Sequence, residues 1–372
     1  MPNYNNFMDL PSLKGKLKPV TCKACRDDLC SVGVCPKCLE NQAWNKDYLE
    51  THTFIYDTMV RSYHYSGHND FKSLLKRLPN EHPYMFYGIE LEIAFDEDHI
   101  PQDMTESQIQ SLLEGAMKIC PLFVVEWDGS CHEGMEFIFP PCSYAFLTAP
   151  KTVKMFKGLF KYLIDNGALL DQPNGYGMHI HLSRKFFDYG ETKLGYRYSA
   201  YNDLNWLFTK FQKQIELLGG RKYTKYCRSK IDKMLNDGRM VSLLEEYGVT
   251  DLSVAVGKGG EVPEDDHYSA VNMSGNTIEA RVFKSTIDYE QMMANVELVR
   301  NFAHAVRNDQ IATATLNEIL HTKDNLYLDK HIQKVRMACA KNGETLDLEV
   351  ANDNRVSKDV DNNGVHTILT SY

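Results

Sequence analysis

Apolar and polar residues alternate with period two in several stretches of the chain, the pattern of half-buried strands. In "YGIELEIAF", Ile89, Leu91 and Ile93 take one face, and Glu90 and Glu92 take the other. In "GYGMHIHLS", Met178, Ile180 and Leu182 alternate with His179 and His181, so two imidazoles share the face that is not the core. "TIEARVF" sets Ile278, Ala280 and Val282 against Glu279 and Arg281. "GMEFIFP" is apolar apart from Glu136 and is expected to end at Pro140-Pro141, while "LFVVEWD" is a further strand before the turn "DGS".

Helical periodicity fills the gaps. It predicts helices over "SQIQSLLEGAMKI" (Ser107 to Ile119), over Lys151 to Asn166 with Gly167 as terminator, over Tyr201 to Leu218, and from about Tyr289 to Arg307. Asn41 to Lys76 also reads as helical, with Trp44, Tyr48, Phe54 and Tyr56 as anchors. The mixed order lacks a regular β-α-β alternation. The expected class is therefore α+β, an antiparallel sheet with helices packed on one face.

Length changes this picture by asking for more than one core, since 372 residues exceed what one usually holds. Three parts are expected: 1–80, a metal-binding element and helical linker; 81–310, the catalytic domain; and 311–372, a helical extension and polar tail. From about Lys341 the chain is polar and Asn/Asp-rich, so a weakly packed tail is expected there. A net charge of -9 gives no general attraction to nucleic acid, which is not expected as a partner. No run approaches the ~18 apolar residues of a membrane span, and "MPNYNNFMDLPSLKGK" lacks a signal-peptide pattern. The expected location is the cytoplasm, where ten cysteines need a reason other than disulfides.

"CKACRDDLCSVGVCPKC" supplies that reason. Cys22 with Cys25 and Cys35 with Cys38 form two knuckles, each offering two thiolates to a tetrahedral ion, and the sequence between them is too short for a core. Structural Zn2+ is expected, with Cys30 as a bystander or a replacement for one ligand. A closed four-cysteine site has no open position for chemistry, so it serves stability or docking of a protein partner.

The chemistry is expected on the strands. Each acid motif has a bland reading of its own: a solvent face for Glu90 and Glu92, hydrogen-bonded structural histidines for His179 and His181, an ion pair for Glu279 and Arg281. Together they repeat one grammar, and buried carboxylates are costly unless paired with cations or metal. Carboxylate oxygens with a single histidine suit Mg2+ or Mn2+ better than zinc.

"GYGMHIHLS" closely resembles the glutamine synthetase signature Gly-x-Gly-Met-His-x-His-x-Ser, and "YGIELE" and "TIEARVF" resemble the Glu-x-Glu and Glu-x-Arg motifs of that superfamily. The order Glu-x-Glu, Asp-Gly-Ser, Glu-x-x-x-Pro, His-x-His, Asn, Glu-x-Arg resembles the amidoligases, relatives of glutamine synthetase and glutamate–cysteine ligase, over roughly Tyr84 to Arg307. The resemblance implies a glutamine synthetase-like catalytic sheet. It implies that Glu90, His179 and Glu279 hold the metal that bridges the ATP phosphates, and that Glu92 and Glu136 hold a second metal. His181 and Ser183 would lie along the nucleotide, and Arg281 would grip the substrate carboxylate or the transferring phosphoryl group. Asp128 and Asn272 match further catalytic positions. The chain departs from the pattern at Tyr268 and His267, where relatives carry arginine; the basic segment Arg221, Lys222, Lys225 and Arg228 is a candidate replacement or a solvated face.

The implied activity is ATP-dependent, Mg2+-dependent amide formation between a small-molecule or peptide carboxylate and an amine, through an acyl phosphate. "VGKGGEVPEDD" would be its lid, and Asp128 or Glu133 its base. Competing readings are a metallohydrolase built on His179 and His181, and an inactive nucleotide-binding adaptor.

Overall fold

The computed structural model describes residues 84–128, 131–187, 203–205, 207–222, 269–274, 277–308 and 315–350. The cysteine knuckles, the expected helix at 41–76, the expected lid, Lys225 and Arg228, and the tail beyond 350 lie outside the described residues. The chain separates into two compact units, residues 1–186 with 284–289, and residues 187–283 with 290–372.

The first unit contains β1 (Tyr87–Ala94), α1 (Glu106–Ile119), β2 (Val124–Glu126), β3 (Gly134–Cys142), α2 (Tyr144–Thr148), α3 (Pro150–Asp165) and β4 (Gly177–Ser183). Its strands lie in the order β2-β3-β1-β4, each pair antiparallel. Helix α1 starts where Thr105 and Gln108 form a reciprocal capping box. Helix α3 opens on Pro150, which has no amide to leave unsatisfied there. It closes as expected at Gly167, whose φ of 94° suits a residue without a side chain.

Alternation sorts the sheet into two faces. Ile89, Leu91, Phe137, Met178 and Ile180 lie on one, all fully or almost fully buried. Helix α3 covers that face with Met155, Phe156, Leu159, Phe160 and Leu163, spaced at helical intervals. Phe156 meets Phe139 of β3 at 5.0 Å between ring centroids and Tyr289 at 6.1 Å. The Tyr289 hydroxyl donates to the Leu147 carbonyl at 2.8 Å. With helices on this side, the acidic residues of the same strands are left on the other.

Strand β3 runs on through Pro140 and Pro141 to Cys142, past its expected end. The register against β1 shifts between Tyr87 and Ile89, and this irregularity absorbs two residues that cannot donate to a ladder.

The second unit contains α4 (Gln212–Gly219), β5 (Val271–Ser274), β6 (Thr277–Lys284), α5 (Tyr289–Arg307), α6 (Leu316–Leu320) and α7 (Leu328–Lys341). The helix expected at Tyr201 to Leu218 is interrupted at Phe211, whose backbone leaves helical geometry before α4. Phe302 of α5 packs between Phe208 and Phe211, at 5.0 and 6.3 Å. Every residue of α5 from 292 to 303 is buried, including Asn295, Glu297 and Asn301. The Glu297 carboxylate accepts from the amides of Leu326, Tyr327 and Leu328 at 2.8, 3.0 and 2.6 Å, satisfying donors at the start of α7. The polar stretch after Lys341 is better packed than its composition suggests: Leu346 and Leu348 are buried, and the Leu348 and Val350 carbonyls accept from Asn317 and Leu316.

Candidate metal centre

Antiparallel pairing turns the separate acid motifs into one surface. Glu92 of β1 stands opposite Glu136 of β3, which stands opposite Glu126 of β2. On the other side, Glu90 stands opposite His179 of β4. Directly paired residues project to the same face of a sheet, so these side chains converge by register alone.

The contacts are close. His179 Nδ1 lies 3.2 Å from Glu90 Oε2 and 3.8 Å from Glu136 Oε1, while its Nε2 lies 3.6 Å from Glu92 Oε1. His181 Nε2 lies 3.1 Å from Glu90 Oε1. His181 sits opposite Gly88, where a Cβ would come 3.2 Å from its own Cβ, so the glycine leaves room for the ring. The Gly177 amide, at the start of β4, donates to Glu92 Oε2. His179, Glu92, Glu126 and Glu136 are buried, and Glu90 is half-buried.

Electrostatics divide these acids. Burial would raise Glu90, but the His181 charge and hydrogen bonds from both histidines outweigh it and hold this carboxyl well below its ordinary range. Glu136 goes the other way. Burial first, and then the charges of Glu90, Glu92, Asp128 and Glu126, push its carboxyl well above the ordinary value. In the metal-free protein Glu136 therefore favours its protonated form, and a cation bound there would take the place of that proton.

Among the described residues of the first unit, two sets of donors fit a metal ion. Glu90, Glu136 and His179 can each bring one ligand atom within 4.8 Å of the others, and so can Glu92, Asp128 and Glu136. One set holds a single imidazole among carboxylates and the other is all oxygen, the chemistry of Mg2+ or Mn2+ rather than a thiolate-bound metal. Asp128, expected as a catalytic group, can thus bring an oxygen close to those of Glu92 and Glu136. Glu126 is the acid that sequence reasoning passed over. It sits in "LFVVEWD" as Glu136 sits in "GMEFIFP", one carboxylate in an apolar strand, and that shared signal could have marked it.

The second unit brings together the remaining strand residues. Asn272 of β5 stands opposite Glu279 of β6, and its Nδ2 donates to Glu279 Oε2 at 3.3 Å. Arg281 Nη1 donates to Glu279 Oε1 at 2.6 Å, an ion pair between two residues of one strand face. Arg221 reaches the Arg281 carbonyl at 3.4 Å. Ser183 belongs to the first unit, where it ends β4 and is half-buried.

Comparison with known families bears directly on these residues. A family model described as "Putative amidoligase enzyme" matches residues 83–303. The chain belongs to this amidoligase family. The matched span runs from just before β1 into α5, so it includes every acid, histidine and arginine described above and excludes the cysteine knuckles. Family membership supports a ligase. No curated protein gives a significant match to the chain.

Proposed function

We propose that this amidoligase is an ATP-dependent, Mg2+-dependent carboxylate–amine ligase with a glutamine synthetase-like catalytic sheet, acting through an acyl phosphate. The observation that carries the reading is the row of buried and half-buried carboxylates across β2, β3 and β1, closed by His179 of β4. Five acids held this close, with one forced toward protonation, form a poor resting arrangement and a good cation receptor.

The chemistry explains why such a receptor is useful. A carboxylate is a weak electrophile, and its oxygen leaves only after phosphorylation. Bringing it to a triphosphate sets two anions together, and bound divalent cations supply the charge that lowers this repulsion. The chain's own residues then have separate tasks. Glu90, Glu136 and His179 hold one cation position, and Glu92, Asp128 and Glu136 hold the other. The Gly177 amide keeps the Glu92 carboxylate oriented. Assignment of Glu279 to the metal that bridges the nucleotide phosphates, of His181 and Ser183 to the nucleotide, and of Arg281 to the anionic substrate, rests on the order of the motifs along the chain.

The test is calorimetric titration of a non-hydrolysable ATP analogue with Mg2+ into the full chain, Glu279→Ala and Glu136→Gln. Metal-dependent binding to the wild type, lost in both variants, supports the reading and leads to screening acid–amine pairs for ADP release. No nucleotide binding by the wild type overturns it and brings forward a nucleotide-independent metallohydrolase on the same histidines.

A further inference from the structure

Tyr176 touches both sides of the cation receptor without being a donor to it. Its hydroxyl accepts from the Glu133 amide at 3.0 Å, and the Glu133 carbonyl accepts from Phe95 at 3.0 Å, so the backbone is held on both sides of this residue. The Tyr176 ring lies on Gly134: a Cβ there would come 2.9 Å from Cε1 and 2.1 Å from the Ile93 carbonyl. Glu133 and Gly134 end the turn that starts at Asp128, whose carbonyl accepts from Cys131 at 3.0 Å. Gln102 Nε2 holds the same turn by the Cys131 and Gly134 carbonyls, each at 3.1 Å. On its other side, Tyr176 precedes Gly177, the residue whose amide holds Glu92. Its own carbonyl accepts from Ser285 at 2.9 Å, which fixes the backbone there.

We infer that Tyr176 is a positioning residue for the Glu92, Asp128 and Glu136 cation position, clamping the turn that carries Asp128 to the start of the strand that orients Glu92. This inference rests on the cation reading above. Outer residues that fix a ligand's orientation typically govern metal affinity by about 10- to 100-fold. Tyr176→Phe keeps the ring on Gly134 and removes only the acceptor for the Glu133 amide, so the turn is freed while the core is kept.

The probe is Mn2+ alone, titrated into the full chain and followed by the electron paramagnetic resonance signal of the free ion. The wild type is expected to bind Mn2+ at both donor groups, and Asp128→Asn to lose the tighter-than-background binding at one of them. Tyr176→Phe should weaken that same class by roughly 10-fold or more and leave the Glu90, Glu136 and His179 class unchanged. Added to Asp128→Asn, it should cause no further loss, because it acts through the ligand already removed. Should Tyr176→Phe not fold, Gln102→Leu frees the same turn and takes its place. Unchanged Mn2+ affinity, or an equal loss in the Asp128→Asn background, overturns the inference alone. Absence of Mn2+ binding by the wild type overturns the cation reading with it.

Discussion

Glu136→Gln tests the electrostatics of the receptor in its metal-free form. Glutamine has the shape of a protonated glutamate, so the substitution keeps volume while removing the ionisable group. In the wild type, the folded protein holds a proton on Glu136 above the pH at which an unfolded glutamate, with its ordinary value near 4.5, releases it. Folding then takes up a proton, and stability falls as pH rises through the window between the two values. Its contribution is complete below pH 4.5 and is lost progressively above it. The slope is about 1.4 kcal/mol per pH unit for a single proton. As pH rises through that window the wild type should lose stability that the variant does not lose. For a cooperative unit of this size each kcal/mol corresponds to roughly 2–4 °C in melting temperature. Thermal melts in Mg2+-free buffer read the difference, with the variant gaining on the wild type as pH rises. Adding Mg2+ should then raise the wild-type midpoint at pH 7 and leave the variant nearly unmoved. Parallel pH profiles for the two proteins, or a variant less stable than the wild type at pH 7, would refute the reasoning.

Three further outcomes follow from packing. Gly134→Ala places a Cβ 2.1 Å from the Ile93 carbonyl, a backbone atom that cannot yield, and should cost about 3 kcal/mol or more in thermal or chemical unfolding; a wild-type melt contradicts the steric account. Glu297→Leu removes the acceptor of three amides at the start of α7 and should cost roughly 3–5 kcal/mol, with faster hydrogen exchange at Leu326, Tyr327 and Leu328; unchanged exchange there rules the cap out as their source of protection. Burial pushes the Cys120 thiol up to about 12, so its thiolate is scarce at pH 8; peptide mapping after iodoacetamide should find Cys120 modified only in denaturant, and rapid labelling of the folded protein counts against its burial.

Strands were legible because one of their faces is uniformly apolar. Ile89, Leu91 and Ile93, or Met178, Ile180 and Leu182, define a period of two that leaves no choice about where Glu90, Glu92, His179 and His181 must point. Partnership is a different matter, since register depends on which strands pair and where. Nothing in "LFVVEWD" alone says that Glu126 will stand opposite Glu136. Nor does "DGS" say that Asp128 will come within ligand distance of Glu92. Tyr176 and Glu297 escaped notice for a related reason: each acts on backbone amides distant in sequence, and such amides carry no residue signature. The Pro140-Pro141 pair was read as a stop because proline cannot donate, yet a register shift let β3 pass through it. Leu346 and Leu348 were hidden among polar neighbours, and two anchored side chains suffice to order a segment whose average composition suggests none.

Those two prolines have a consequence beyond the length of a strand. Strand β2 accompanies β3 only as far as Ile138, so the final residues of β3 extend past the shelter of that neighbour. An extended segment in this position ordinarily offers amides on which a foreign strand can dock, the usual route to edge-to-edge association. Pro140 and Pro141 offer none. Among the described residues, β3 therefore keeps its extended geometry beyond β2 while presenting no ladder donor at these two positions.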